Sequence, residues 1–90
     1  MDPTGARMVE IHIEIRCDGD GFPSSSEYAT RHALEDALAA ADIGKVVDAG
    51  GGMGVMDIYI DVNDLETAMR QTKEIVKRLG LDERTTVEAA

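Results

Sequence analysis

Aromatic side chains are nearly missing from this chain: among 90 residues there is no tryptophan, one phenylalanine (Phe22) and two tyrosines (Tyr28 and Tyr59). A core with so few rings must be filled by Ile, Leu, Val, Met and Ala, so it is expected to be modest, with stability in the ordinary range of small domains. Cysteine is scarcer still. The single Cys17 excludes an intrachain disulfide, and small secreted domains normally carry several. Residues 1–7 lack the apolar segment of a signal peptide. No apolar run approaches the roughly 20 residues that a membrane span needs. These absences together give the expectation of a soluble, cytoplasmic protein.

Basic residues are in short supply as well. Nine Lys and Arg face eighteen Asp and Glu, for a net charge of −9. Nucleic-acid binders present an excess of Lys and Arg to neutralise phosphates. Most of this surface would repel a phosphate backbone or an anionic membrane, so neither is expected as a partner. The imbalance is uneven: residues 1–62 hold twelve acids and four bases, whereas the segment 65–79 sets Arg70, Lys73, Lys77 and Arg78 against Glu66 and Glu74.

What is present is periodic. One domain is expected over residues 8–90, behind a disordered tail over 1–7. From Met8 to Cys17, Val9, Ile11, Ile13 and Ile15 alternate with Glu10, His12, Glu14 and Arg16, the period of a half-buried strand. Ser24 and Glu27 fit a capping box that opens a helix just after Pro23. Ala33, Leu34, Ala37, Leu38 and Ala41 form its apolar stripe, and Gly44 is expected to stop it. A short strand over 45–49 and a longer one over 55–62 flank the glycine cluster Gly50-Gly51-Gly52-Met53-Gly54, which is read as the tip of a β-hairpin with positive φ angles or bulges.

Asn63 and Glu66 offer a second capping box. It opens a helix whose stripe is Leu65, Met69, Thr72, Val76 and Leu79, with Ala68 and Ile75 beside it. Glu66–Arg70 and Glu74–Arg78 are i,i+4 pairs in the favourable order. Gly80-Leu81 reads as a Schellman stop, and Thr85-Thr86-Val87 as a fourth, edge strand.

Two helices over one face of an antiparallel sheet make a two-layer α+β sandwich. The order β-α-β-β-α-β over residues 8–88 resembles the ferredoxin-like plait, a resemblance that implies the sheet order 4-1-3-2. The segment from Gly50 to Ile58 also resembles one found in small bacterial proteins of this α/β plait type with a glycine-rich central hairpin, for which no activity is assigned. Acylphosphatases share the plait, but the first loop here lacks their glycine-rich phosphate cradle and its arginine. Their activity is therefore not carried over, and the plait hosts many unrelated functions.

Candidate sites follow from this layout. If the apolar face of the sheet meets the helices, the other face carries Glu10, His12, Glu14, Arg16, Asp57, Tyr59 and Asp61. A single tyrosine among carboxylates does not make the stacking platform of RNA-binding plaits. A histidine with two or three carboxylates can hold a divalent metal. A solvated polar face with cross-strand pairs such as Arg16 with Asp57 explains the same residues without a ligand. The cluster Gly50, Gly51, Gly52 and Gly54 leads into a strand and has no lysine after it, unlike a phosphate-binding loop. Four glycines still exceed what a two-residue turn needs, and they permit another backbone to come close.

Asp18-Gly19-Asp20-Gly21 begins like a calcium loop, but Phe22 and Pro23 break the pattern. Cys17 precedes a helix N-terminus that can lower a thiol pKa, yet strand parity puts it on the Ile15 side, where it is a structural residue. His12 and His32 are distant in sequence, and neither has a nearby serine to suggest a triad.

The leading functional expectation is a non-enzymatic protein-interaction module. It would associate with itself, as a homodimer, or act as an acidic inhibitor of the immunity type that neutralises a basic protein. The alternative is a small-ligand or metal-binding regulatory domain that uses Glu10, His12, Glu14 and Asp57, with Tyr59 beside them, or the glycine hairpin. No cofactor is implied, and catalysis ranks below both readings.

Overall fold

Period-two sequence becomes a sheet with one dry face. The computed structural model describes residues 9–19 and 21–90; the tail expected over 1–7 lies outside them. In chain order the elements are β1 (Val9–Arg16), α1 (Ser25–Ala40), β2 (Lys45–Gly52), β3 (Val55–Val62), α2 (Leu65–Arg78) and β4 (Thr85–Ala89). The strands form one sheet in the order β2-β3-β1-β4. Every neighbouring pair is antiparallel. This is the expected strand order read from the opposite edge.

β1 and β3 pair along their full length, from Val9↔Val62 to Arg16↔Val55. Directly opposed residues share a face, so Ile11, Ile13 and Ile15 lie against Ile60, Ile58 and Met56. All six are at most 1% exposed, and they join Leu34, Leu38, Ile75 and Val76 in one core. Burying each of these side chains contributes about 1.5–3 kcal/mol.

The caps hold the helices in place. Ser24 opens α1 with the capping box read from the sequence: its side chain accepts from the Glu27 N–H, and Glu27 Oε1 accepts from the Ser24 N–H at 2.9 Å. Glu27 Oε2 also accepts from the Asp18 N–H at 2.8 Å, tying the β1–α1 loop to the helix. α2 closes as a Schellman motif. Gly80 has φ +74, its N–H donates to Lys77 O, and the Leu81 N–H donates to Val76 O.

Several expectations are corrected. β2 runs through Gly52 rather than ending at Ala49, so Gly50, Gly51 and Gly52 are strand residues paired with Asp57, Met56 and Val55. The turn itself is Met53-Gly54, both with positive φ. A register shift lies between Val46 and Asp48, leaving Val47 as the extra residue. Asp64 rather than Asn63 caps α2, because its carboxylate accepts from both the N–H and the hydroxyl of Thr67.

Gly44 is not the left-handed stop of α1. Asp42 takes that conformation at φ 53, and Gly44 instead lies hard against β3. A Cβ there would collide with the Asp61 carbonyl oxygen and stand 2.7 Å from Val62 Cγ1. Ala33, Ala41 and Leu79 are exposed, since α1 and α2 bury narrower stripes than their apolar residues allow. Neither Glu66–Arg70 nor Glu74–Arg78 closes to an ion pair among the described residues; the i,i+4 pair formed is Arg31–Glu35 at 3.7 Å.

Two expectations test this account. Gly44→Ala should lower stability by about 1–3 kcal/mol through overpacking, whereas Gly50→Ala, whose Cβ meets nothing within 4 Å, should leave the urea midpoint unchanged or raise it. Hydrogen bonds from the backbone N–H groups of Ser24 and Asp18 hold Glu27 below the usual carboxylate range. A depressed folded pKa contributes stability above the unfolded value and loses it as pH falls through the folded one. The melting-temperature gap between the native chain and Glu27→Gln should therefore be full at pH 7 and close progressively in acid.

Candidate functional site

The face of the sheet opposite the helices carries the chemistry. Cross-strand register assembles it row by row. Glu10 faces Asp61, His12 lies between Tyr59 and Glu88, and Glu14 lies between Asp57 and Thr86. On the far side of β3, Lys45 faces Asp61, Asp48 faces Tyr59 and Gly50 faces Asp57. Six carboxylates (Glu10, Glu14, Asp48, Asp57, Asp61 and Glu88) thus share one face with Lys45 at one corner.

His12 and Tyr59 form its centre. As a directly opposed pair they stack with centroids 4.5 Å apart and planes 6° from parallel. His12 Nε2 is hydrogen-bonded to Asp57 Oδ1 at 2.7 Å, and the two side chains keep 25% and 27% of their surface exposed. Burial, and then the charges of Asp57, Glu10, Asp48 and Glu14, push the Tyr59 hydroxyl above its ordinary pKa. The phenol stands in a negative field to which three strands contribute.

The Arg16–Asp57 pair expected from the sequence does not form. The Arg16 guanidinium donates to the Glu83 carbonyl in the turn before β4, and Asp57 takes His12 instead. Asp48 and Glu88 were missed as members of this face. The register shift in β2 and the pairing of β4 decide their side; for Glu88 the Thr86–Glu88 alternation is the one sequence signal.

The glycines of the hairpin serve internal packing. A Cβ on Gly51 would stand 3.0 Å from Pro23 Cγ and 3.4 Å from the Tyr28 hydroxyl, and one on Gly52 would stand 3.4 Å from Phe22 Cε1. Arg31 Nη1 donates to the Gly50 carbonyl at 2.8 Å while its guanidinium lies 5.2 Å from the Tyr28 ring centre. Gly54 bridges the loops: its N–H donates to Gly21 O and its carbonyl accepts from Cys17 N. The backbone approach that the glycines permit is made largely by the chain's own β1–α1 loop and α1.

The remaining candidates lie apart. Asp18 pairs with Arg84 at 3.3 Å, and Asp20 of the calcium-like sequence lies outside the described residues. His32 is on the exposed side of α1, bonded to Glu35 at 3.0 Å. Cys17 packs against the core. Burial, and then the Glu27 carboxylate, raise its thiol pKa, so the helix N-terminus ahead of it does not activate it. No helix among the described residues is long and apolar enough to cross a membrane.

No family model matches the chain, and neither a curated protein nor a solved structure matches it.

Because the thiolate is the reactive form, Cys17 should react with iodoacetamide at pH 7.5 more slowly than free cysteine. Mass-spectrometric quantitation of the alkylated chain checks this.

Proposed function

We propose that this chain is a non-enzymatic binding domain of the ferredoxin-like plait class that docks a basic protein on the open face of its sheet. The order β-α-β-β-α-β and the sheet order β2-β3-β1-β4 support the class. The observation that carries the binding reading is the ring of six carboxylates around the His12–Tyr59 stack. Complementary charge steers encounter and selects partners, and a half-buried aromatic pair at the centre suits an interface core.

The same charge argues against a dimer built through this face. Two copies would bring twelve carboxylates together against few bases, and like-charge juxtaposition across an interface costs several kcal/mol. A lysine- or arginine-rich partner meets no such penalty. An acidic inhibitor of a basic protein, of the immunity type, fits this surface better than self-association.

The test is retention of a partner from native lysate at low and high salt, on the native chain and on the double variant Glu10→Lys/Asp61→Lys. These positions border the face without touching the His12–Asp57 bond. A basic protein held at low salt, released at high salt and lost by the variant is the expected result. The purified pair should then lose roughly tenfold or more in affinity on charge reversal, chiefly through slower association. Retention of one and the same partner by both chains would overturn the reading.

A further inference from the structure

We propose that His12, Glu14 and Asp57 form a binding site for one divalent first-row transition-metal ion at the centre of the open sheet face. This goes beyond protein docking, because the ligand is an ion and the residues are three in particular. One donor atom from each of the three side chains lies within 4.8 Å of the other two. All three project from β1 and β3, the two inner strands of the sheet. His12 and Glu14 are two residues apart on one strand, and Asp57 is directly opposite Glu14.

That opposition is the second observation. Two carboxylates facing each other across an antiparallel pair repel, and here no lysine or arginine answers them. Among the described residues Glu14 has no ion-pair partner, and Arg16, next along the same face, is turned to the Glu83 carbonyl. A divalent cation between Glu14 and Asp57 turns this unfavourable register into a favourable one.

The imidazole supplies the third ligand. Its Nε2 already points at Asp57 Oδ1 at 2.7 Å, and the Tyr59 ring lying flat on it holds the plane of the imidazole. A metal takes the place of the proton in this hydrogen bond, since ligands bind in their deprotonated forms. Bonds of about 2.0–2.2 Å to nitrogen and carboxylate oxygen require the three donor atoms to draw closer together than the 4.8 Å within which they now lie.

One nitrogen and two oxygens suit zinc or manganese, not the six to eight oxygens of calcium or the sulfur ligands of copper(I). Three protein ligands leave at least one coordination position for water or an incoming group. Gly50, the β2 residue opposite Asp57, puts no side chain over that side. Glu10 is outside the group.

Chelator-stripped protein without a histidine tag should be titrated with zinc chloride by calorimetry. One equivalent per chain is expected, with affinity reduced at least tenfold in Glu14→Gln and Asp57→Asn and unchanged in Cys17→Ser. Long-range ¹H–¹⁵N spectra of the native protein decide the point without relying on a variant's folding. The chain has two histidines, and zinc should move the His12 imidazole nitrogens while those of His32 stay in place. Absence of saturable binding, or a shift confined to His32, would overturn the proposal. So would full affinity in both carboxylate variants. Charge reversal at Glu10 and Asp61 separates this site from partner docking: it should weaken docking roughly tenfold or more and leave the zinc stoichiometry at one.

Discussion

Everything in this fold hangs on the register between β1 and β3. Eight consecutive pairs align the two strands without a bulge. The alignment that opposes Ile13 to Ile58 under the helices also opposes His12 to Tyr59 on the other side. A slip by one residue would exchange the faces of a strand entirely, sending isoleucines to water and carboxylates into the core. The penalty for that exchange fixes the register, and the register fixes the polar constellation. The site is therefore held by the hydrophobic effect acting on the opposite surface of the same two strands.

This explains which parts could be read from the sequence. Strict alternation in residues 9–16 and 55–62 identifies both inner strands and their buried faces, because a period of two admits no other regular structure. The Ser24–Glu27 box and the Gly80-Leu81 stop are short-range patterns whose physics is complete within a few residues. The glycine run misleads because isolated propensity places glycine in turns. Here the β1–α1 loop packs over the strand: Pro23 leaves little room for a side chain at Gly51, and Phe22 lies beside Gly52, a long-range contact that no local pattern shows. Gly44 misleads for the same reason: its constraint comes from Asp61 and Val62, seventeen or more positions away. At the start of α2 two competent caps stand side by side, and Thr67 decides between them by offering a hydroxyl to Asp64.

The candidate site divides along the same line. Glu10, His12, Glu14, Asp57 and Tyr59 share a face by strand parity alone, so their grouping was visible. Which of them touch was not. Partner choice depends on diagonal geometry between strands, and there Asp57 meets His12 across one step of the ladder while Glu10 meets Asp61 at the rim. Arg16, which simple charge pairing would assign to Asp57, is held by a main-chain carbonyl from the far side of β1. The outer strands add Asp48 through a register shift that no local pattern announces, and Glu88 through a terminal pairing signalled only by the Thr86–Glu88 alternation.

The strand made first is also the one completed last. β1 is flanked by β3 and β4, so its second edge stays unpaired until the final strand has been synthesised and docked. Pairings between distant segments form slowly because loop closure must precede them. For that interval β1 is a β-branched stripe, Ile11, Ile13 and Ile15, with a free row of backbone donors and acceptors, the kind of segment that templates aggregation. The interleaved Glu10, His12, Glu14 and Arg16 put charge or polarity at every second position of that exposed edge. Charge on an unpaired edge is one of the devices by which strands avoid templating a neighbour.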